Sequence, residues 1–169
     1  MSTKAVQQKT RKVKPIPDGY EGAVPYICVK DGAAAIEFYK KALGATEVMR
    51  LAQPDGRLGH AELKIGRAVI MVADEFPEFG TVSPKSIGGS PVTIQMYVED
   101  VDAFAERAIL AGMNVVRPVA DQFYGDRGGK FEDPFGHLWW FSTHKEDVSV
   151  EEMKKRAAAL LAGKHAKSA

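Results

Sequence analysis

The segment beginning at Val24, VPYICVKDGAAAIEFYKKALGATEV, returns in pattern at Thr93 as TIQMYVEDVDAFAERAILAGMNVV. Each copy reads strand, Asp, amphipathic helix, Gly, strand, so the chain builds one supersecondary unit twice. In the first copy Asp31 is placed to cap a helix whose apolar stripe is Ala35, Phe38, Tyr39 and Ala42, and Gly44 supplies the stop. In the second, Asp100 caps a helix with Val101, Phe104, Ala105 and Ala108 on one face, ended by Gly112.

Three further strands are expected after each helix, over 45–52, 59–65 and 67–74 and then over 114–120, 128–132 and 137–143. Turn residues separate them: Pro54-Asp55-Gly56, Gly66-Arg67 and Asp133-Pro134-Phe135-Gly136. The expected fold class is therefore α+β, two tandem βαβββ modules forming a cupped mixed sheet, with a C-terminal helix. Thr93, Gln95 and Tyr97 alternate with Ile94, Met96 and Val98, and His60, Glu62 and Lys64 alternate with Ala61, Leu63 and Ile65. Such alternation gives each sheet a greasy face for its helix and a polar face that stays open.

A length of 169 residues suits one buried domain, here 20–145, with module 1 over 20–75 and module 2 over 92–145. Residues 75–91 either join the modules or lid a site. Residues 1–19, with five basic side chains and no acid before Asp18, read as a disordered basic tail. Residues 146–169 read as an amphipathic helix and tail, opened by a Ser149/Glu152 capping box. With 27% charged residues and a net charge of +1, composition points to neither a nucleic-acid nor a membrane partner. Cys28 is the single cysteine, which excludes an internal disulfide and a Cys-rich zinc site; with no long apolar run, a cytoplasmic location is expected.

Four segments in order, VPYICVKDGAAAIEFYKKALGA, GHAELKIGRAVIMVADE, VEDVDAFAERAILAGMNVV and GDRGGKFEDPFGHLWWFSTHKEDVSVEEM, resemble the vicinal oxygen chelate superfamily. This is the glyoxalase/bleomycin resistance protein/dioxygenase group, and the chain looks most like its PhnB-like branch. The resemblance implies a site in a cup between βαβββ modules, and frequent homodimers in which modules pair within or across chains. It also implies a divalent ion held by side chains on the first and last strands of each module. Aligned by pattern, those positions fall on Val24, Met71, Thr93 and Trp140, none a normal ligand for such an ion, so no metal and no cofactor are expected.

An apolar, aromatic floor with polar neighbours suits a flat, partly polar organic ligand. The residues expected to bind it are Tyr26, Met71, Thr93, Gln95, Tyr97, Tyr124, Arg127 and Trp140, with Arg127 placed to grip a carboxylate or phosphate. The leading expectation is a metal-independent small-molecule binding protein that sequesters an aromatic or drug-like ligand. The alternative is a lyase, isomerase or dioxygenase relative using His60 and Glu62 as catalytic residues. GDRGGK lacks P-loop spacing, and Cys28 has no nearby cation in sequence to activate it.

Overall fold

The computed structural model describes residues 13–165, with only the backbone of residues 163–165. The first module runs β1 (Tyr26–Val29), α1 (Gly32–Leu43), β2 (Thr46–Ala52), β3 (Leu58–Ile65) and β4 (Ala68–Asp74). A linker holding a short 3-10 turn (Pro77–Phe79) and a one-turn helix, α2 (Pro84–Ile87), leads to the second module. This runs β5 (Thr93–Tyr97), α3 (Val101–Ala111), β6 (Asn114–Asp121), β7 (Asp126–Glu132) and β8 (Leu138–His144), and α4 (Val150–His165) closes the described chain. The sheet orders are β1-β4-β3-β2 and β5-β8-β7-β6, with the first and last strands of each module parallel. The two βαβββ modules and the C-terminal helix are thus as expected.

The caps form as the residues dictate. Asp31 accepts from the Ala34 amide, Asp100 accepts from Asp102 and Ala103, and Gly44 takes the left-handed conformation at φ 68°. The Ser149 hydroxyl accepts from the Glu152 amide at 3.2 Å, whereas the Glu152 carboxylate bonds to Arg156 at 3.0 Å. Of the expected basic tail, residues 1–12 lie outside the described residues, and 13–19 carry neither helix nor strand. The 75–91 segment joins the modules. Its start is pinned by Arg57, whose guanidinium lies 4.2 Å from the Phe76 ring centre and donates to the Glu75 carbonyl. Among the described residues no helix is long and apolar enough to cross a membrane.

One core serves both modules. It takes Ile27, Val29, Ala61, Leu63 and Val72 from the first sheet, Phe131, Trp139 and Phe141 from the second, and buried residues of both α1 and α3. The helix-bearing sheet faces therefore turn toward each other, and the polar faces turn outward. At the junction, the fully buried Asp133 carboxylate accepts from Tyr39 Oη (2.8 Å) and Trp139 Nε1 (2.9 Å) through one oxygen. Its other oxygen accepts from the Phe135 and His137 amides, both at 2.9 Å. Burial, then the charge and hydrogen bond of Asp133, hold the Tyr39 phenol far above its ordinary range. Arg107 adds a link to the Ala42 carbonyl, and Phe38 packs edge-on against Phe135.

Asp133 in particular carries a stability prediction. Asp133→Ala leaves four donors without their acceptor and should cost about 3–5 kcal/mol, against about 2 kcal/mol for Tyr39→Phe. Urea unfolding measures both, and a loss below about 1 kcal/mol for Asp133→Ala would show that this carboxylate does not hold the modules together.

Candidate functional site

Each outward sheet face carries a row of side chains crossing all four strands at sheet spacing. On the first sheet the register aligns Tyr26, Met71, Glu62 and Met49 from β1 through β4 and β3 to β2. On the second it aligns Gln95, Trp140, Lys130 and Arg117 from β5 through β8 and β7 to β6. These rows are repeat equivalents. Their chemistry differs, with an acid in the first and two cations in the second.

In the first row Tyr26 Oη lies 3.0 Å from His60 Nδ1, and His60 Nε2 lies 3.4 Å from Glu62 Oε1. The other Glu62 oxygen accepts from the Tyr20 hydroxyl. Tyr20, and to a lesser degree His60, hold the Glu62 carboxyl below its ordinary pKa. That makes it a weaker base at neutral pH. A Cys28–His60 pair does not form, because Tyr26 occupies the imidazole and the Cys28 thiol donates to the Asp74 carbonyl at 3.6 Å. Burial, aided by the charges of Glu75 and Asp74, pushes the Cys28 thiol up to about 11.

In the second row a buried hydroxyl sets the geometry. Ser142 Oγ accepts from Trp140 Nε1 at 2.8 Å and from Gln95 Nε2 at 3.1 Å, fixing both side chains. Gly128, beside them on β7, has no side chain to obstruct this. A Cβ there would stand 2.8 Å from Trp140 Nε1 and 2.7 Å from both Ser142 Oγ and the Phe141 carbonyl. Thr93, Gln95, Val116, Arg117, Lys130 and Trp140 line an open pocket of about 510 Å³. Farther along the face, Tyr97 donates to Asp126 Oδ2 at 2.7 Å, and Asp126 Oδ1 lies 2.8 Å from His144 Nδ1. Tyr124 lies in the turn before β7, where burial and then the Asp126 charge raise its phenol.

Two expected placements shift. Val24 precedes β1, so Tyr26 stands beside Met71, and Gln95 rather than Thr93 stands beside Trp140. Arg127 points to the helix-bearing side of β7, where its guanidinium donates to Asp102 at 2.7 and 2.8 Å and to Asp121 at 3.1 Å. It is therefore separated from Trp140 and already paired. Arg117, Lys130 and Ser142 are among the site residues that sequence reasoning missed. Strict alternation groups Arg117 with Val115, but a β-bulge at Val116 moves it opposite Lys130. The first- and last-strand positions now read phenol, thioether, amide and indole. This donor set does not fit a zinc, manganese or iron ion.

The model of the Glyoxalase/Bleomycin resistance protein/Dioxygenase superfamily matches residues 22–141. The chain belongs to this superfamily. The Mycobacterium tuberculosis protein Rv0887c is 43% identical over 133 residues, spanning 77% of this chain and 78% of that one. Among solved structures, TioX of Micromonospora sp. ML1 is similar with a TM-score of 0.56 and 28% identity, over 73% of this chain and 99% of that one. The Arabidopsis thaliana At5g48480 product has a TM-score of 0.59 and 27% identity, over 72% and 97% respectively. This superfamily chain thus presents two outward rows of side chains on sheets joined through one core.

Gly128→Ala should displace the Trp140 indole from Ser142, visible as a changed tryptophan emission at nearly unchanged helix content. Unaltered emission would show that the close approach does not position the ring. At pH 8, Cys28 should react with iodoacetamide at least about tenfold more slowly than free cysteine. A free-thiol rate would mean that the half-buried, unactivated placement is wrong.

Proposed function

We propose that this protein is a metal-independent binding protein for a flat organic small molecule, of the glyoxalase/bleomycin-resistance type. The observation that carries this reading is the Trp140 indole, partly exposed in the pocket and locked by Ser142. A fixed aromatic plane stacks a planar ligand without losing rotamer freedom on binding, and the flanking Thr93 and Gln95 add hydrogen bonds. Within the superfamily we assign the chain to the PhnB-like branch on its four motif segments, and its place of action to the cytoplasm.

The ligand cup is completed by a second copy of the chain. The shared core turns the open faces away from each other, leaving Tyr26 57% and Tyr97 61% exposed. A homodimer that opposes the Tyr26–Met71 row of one copy to the Gln95–Trp140 row of the other encloses a ligand from both sides. Catalysis by His60 and Glu62 has less support, since both Glu62 oxygens are engaged and its pKa is lowered. A base working near neutral pH calls for the opposite shift.

Native mass spectrometry should find a dimer, and a screen of planar organic molecules should produce a saturable rise in Tm that Trp140→Ala removes while keeping the fold. A turnover abolished by chelator, restored by one divalent ion and lost in Glu62→Gln would overturn the binding reading in favour of an enzyme.

A further inference from the structure

The second row carries a charge imbalance that stacking alone does not explain. Lys130 stands directly beside Trp140 in the β7–β8 register, and Arg117 stands beside Lys130 in the β6–β7 register. Both line the Trp140 pocket, and neither makes an ion pair among the described residues. Glu132, two residues from Lys130 on the same strand, is engaged by Lys85 at 3.5 Å. Asp121, near Arg117 on β6, is engaged by Arg127 on the other side of the sheet. On the open face of the first sheet, the carboxylate of the equivalent row is Glu62, which already accepts from Tyr20 and lies against His60. Two adjacent cations therefore share one pocket wall with no carboxylate assigned to neutralise them.

The bulge sharpens this. An extra residue at Val116 rotates Arg117 out of the helix-facing pattern and over the pocket, a placement the edge strand would not otherwise give. Pro118 follows, and β6 tolerates it because that strand has a free edge. The Arg117 guanidinium carbon stands 5.8 Å from the indole centroid, at the outer limit of a cation–π contact. At that separation the guanidinium stands over the indole without stacking closely on it.

Resting on the small-molecule reading above, we propose that the pocket binds an aromatic carboxylate, with its ring stacked on Trp140 and its carboxylate held between Arg117 and Lys130. An aromatic carboxylate lies in or near the plane of its ring, so a ring stacked on the indole carries the charge sideways, toward Lys130 and Arg117 on the two neighbouring strands. The guanidinium fork matches the two carboxylate oxygens, and the Lys130 ammonium supplies a point charge alongside. Gln95 gives one amide hydrogen to Ser142, so its second amide hydrogen, its carbonyl and the exposed Thr93 hydroxyl remain for a hydroxyl or amino substituent on the ring.

The test uses the full-length protein, with 2-naphthoate, its neutral isostere 2-naphthamide and inorganic phosphate as probes, read by calorimetry and tryptophan quenching. The carboxylate should bind at least about tenfold more tightly than the amide. That preference should shrink as salt rises and fall by about tenfold in Arg117→Gln and in Lys130→Met, two open-face substitutions whose fold is checked by Tm. Equal binding of naphthoate and naphthamide, both lost in Trp140→Ala, overturns the carboxylate assignment while leaving the small-molecule reading intact. Phosphate binding as tightly as naphthoate overturns the stacked geometry in favour of a bare anion site. If neither naphthyl probe binds, the assignment falls; an empty wider screen of neutral planar ligands would then bring down the underlying reading as well. The salt dependence and amide comparison are made on the unmodified protein, so the outcome does not hang on either variant folding.

Discussion

A single buried carboxylate, Asp133, determines how the two halves of this molecule relate. A carboxyl group in a dry interior is tolerated only when its oxygens are matched by hydrogen-bond partners, and Asp133 draws them from both modules: Tyr39 of α1, Trp139 of β8 and two amides of the turn it opens. Because Tyr39 reaches it from the first module's helix, the helix-bearing sides of the modules are drawn into one core. Everything placed on the opposite sheet faces is thereby turned to the outside. The geometry of the candidate site is thus a consequence of where the core lies.

On those outer faces, register arranges the chemistry. Repetition of the βαβββ unit places equivalent rows at equivalent positions, and divergence within the rows makes one wall acidic and the other basic and aromatic. The devices that tune the second wall are small. A serine hydroxyl with no exposed surface orients an indole and an amide; a glycine admits the indole; a one-residue bulge swings an arginine across the sheet. Where the first and last strands offer no metal-ligating side chains, the second row presents an aromatic surface, Trp140, flanked by hydrogen-bonding groups.

Much of this was legible beforehand for reasons of local chemistry. Asp31, Asp100 and Gly44 act within a few residues of themselves, so capping patterns locate both helices. Period-two alternation puts His60 and Glu62 together on one face and Trp140 on the face opposite Trp139. Arg127 and Arg117 show where such reasoning ends. Arg127 looked like an anion grip, but its strand parity turns it to Asp102, a partner 25 residues away in sequence. Arg117 would share the helix side with Val115 under strict alternation, but the bulge changes its parity, and no composition rule marks a bulge in a strand of this kind. Val24 and Thr93 were displaced from the site rows because parallel pairing between first and last strands depends on long-range register, which turn residues do not specify.

The amino-acid sequence by itself determined the repeated module, the helix boundaries and the division of each strand into greasy and polar sides, because all of these are set by neighbours in the chain. The tertiary structure alone decided that the helix sides meet through Asp133, that the open faces diverge, and that Arg117, Lys130, Trp140 and Ser142 converge on one pocket. Those outcomes depend on registers and contacts between segments far apart in sequence, where the competing pairings differ by packing and charge and not by any local preference.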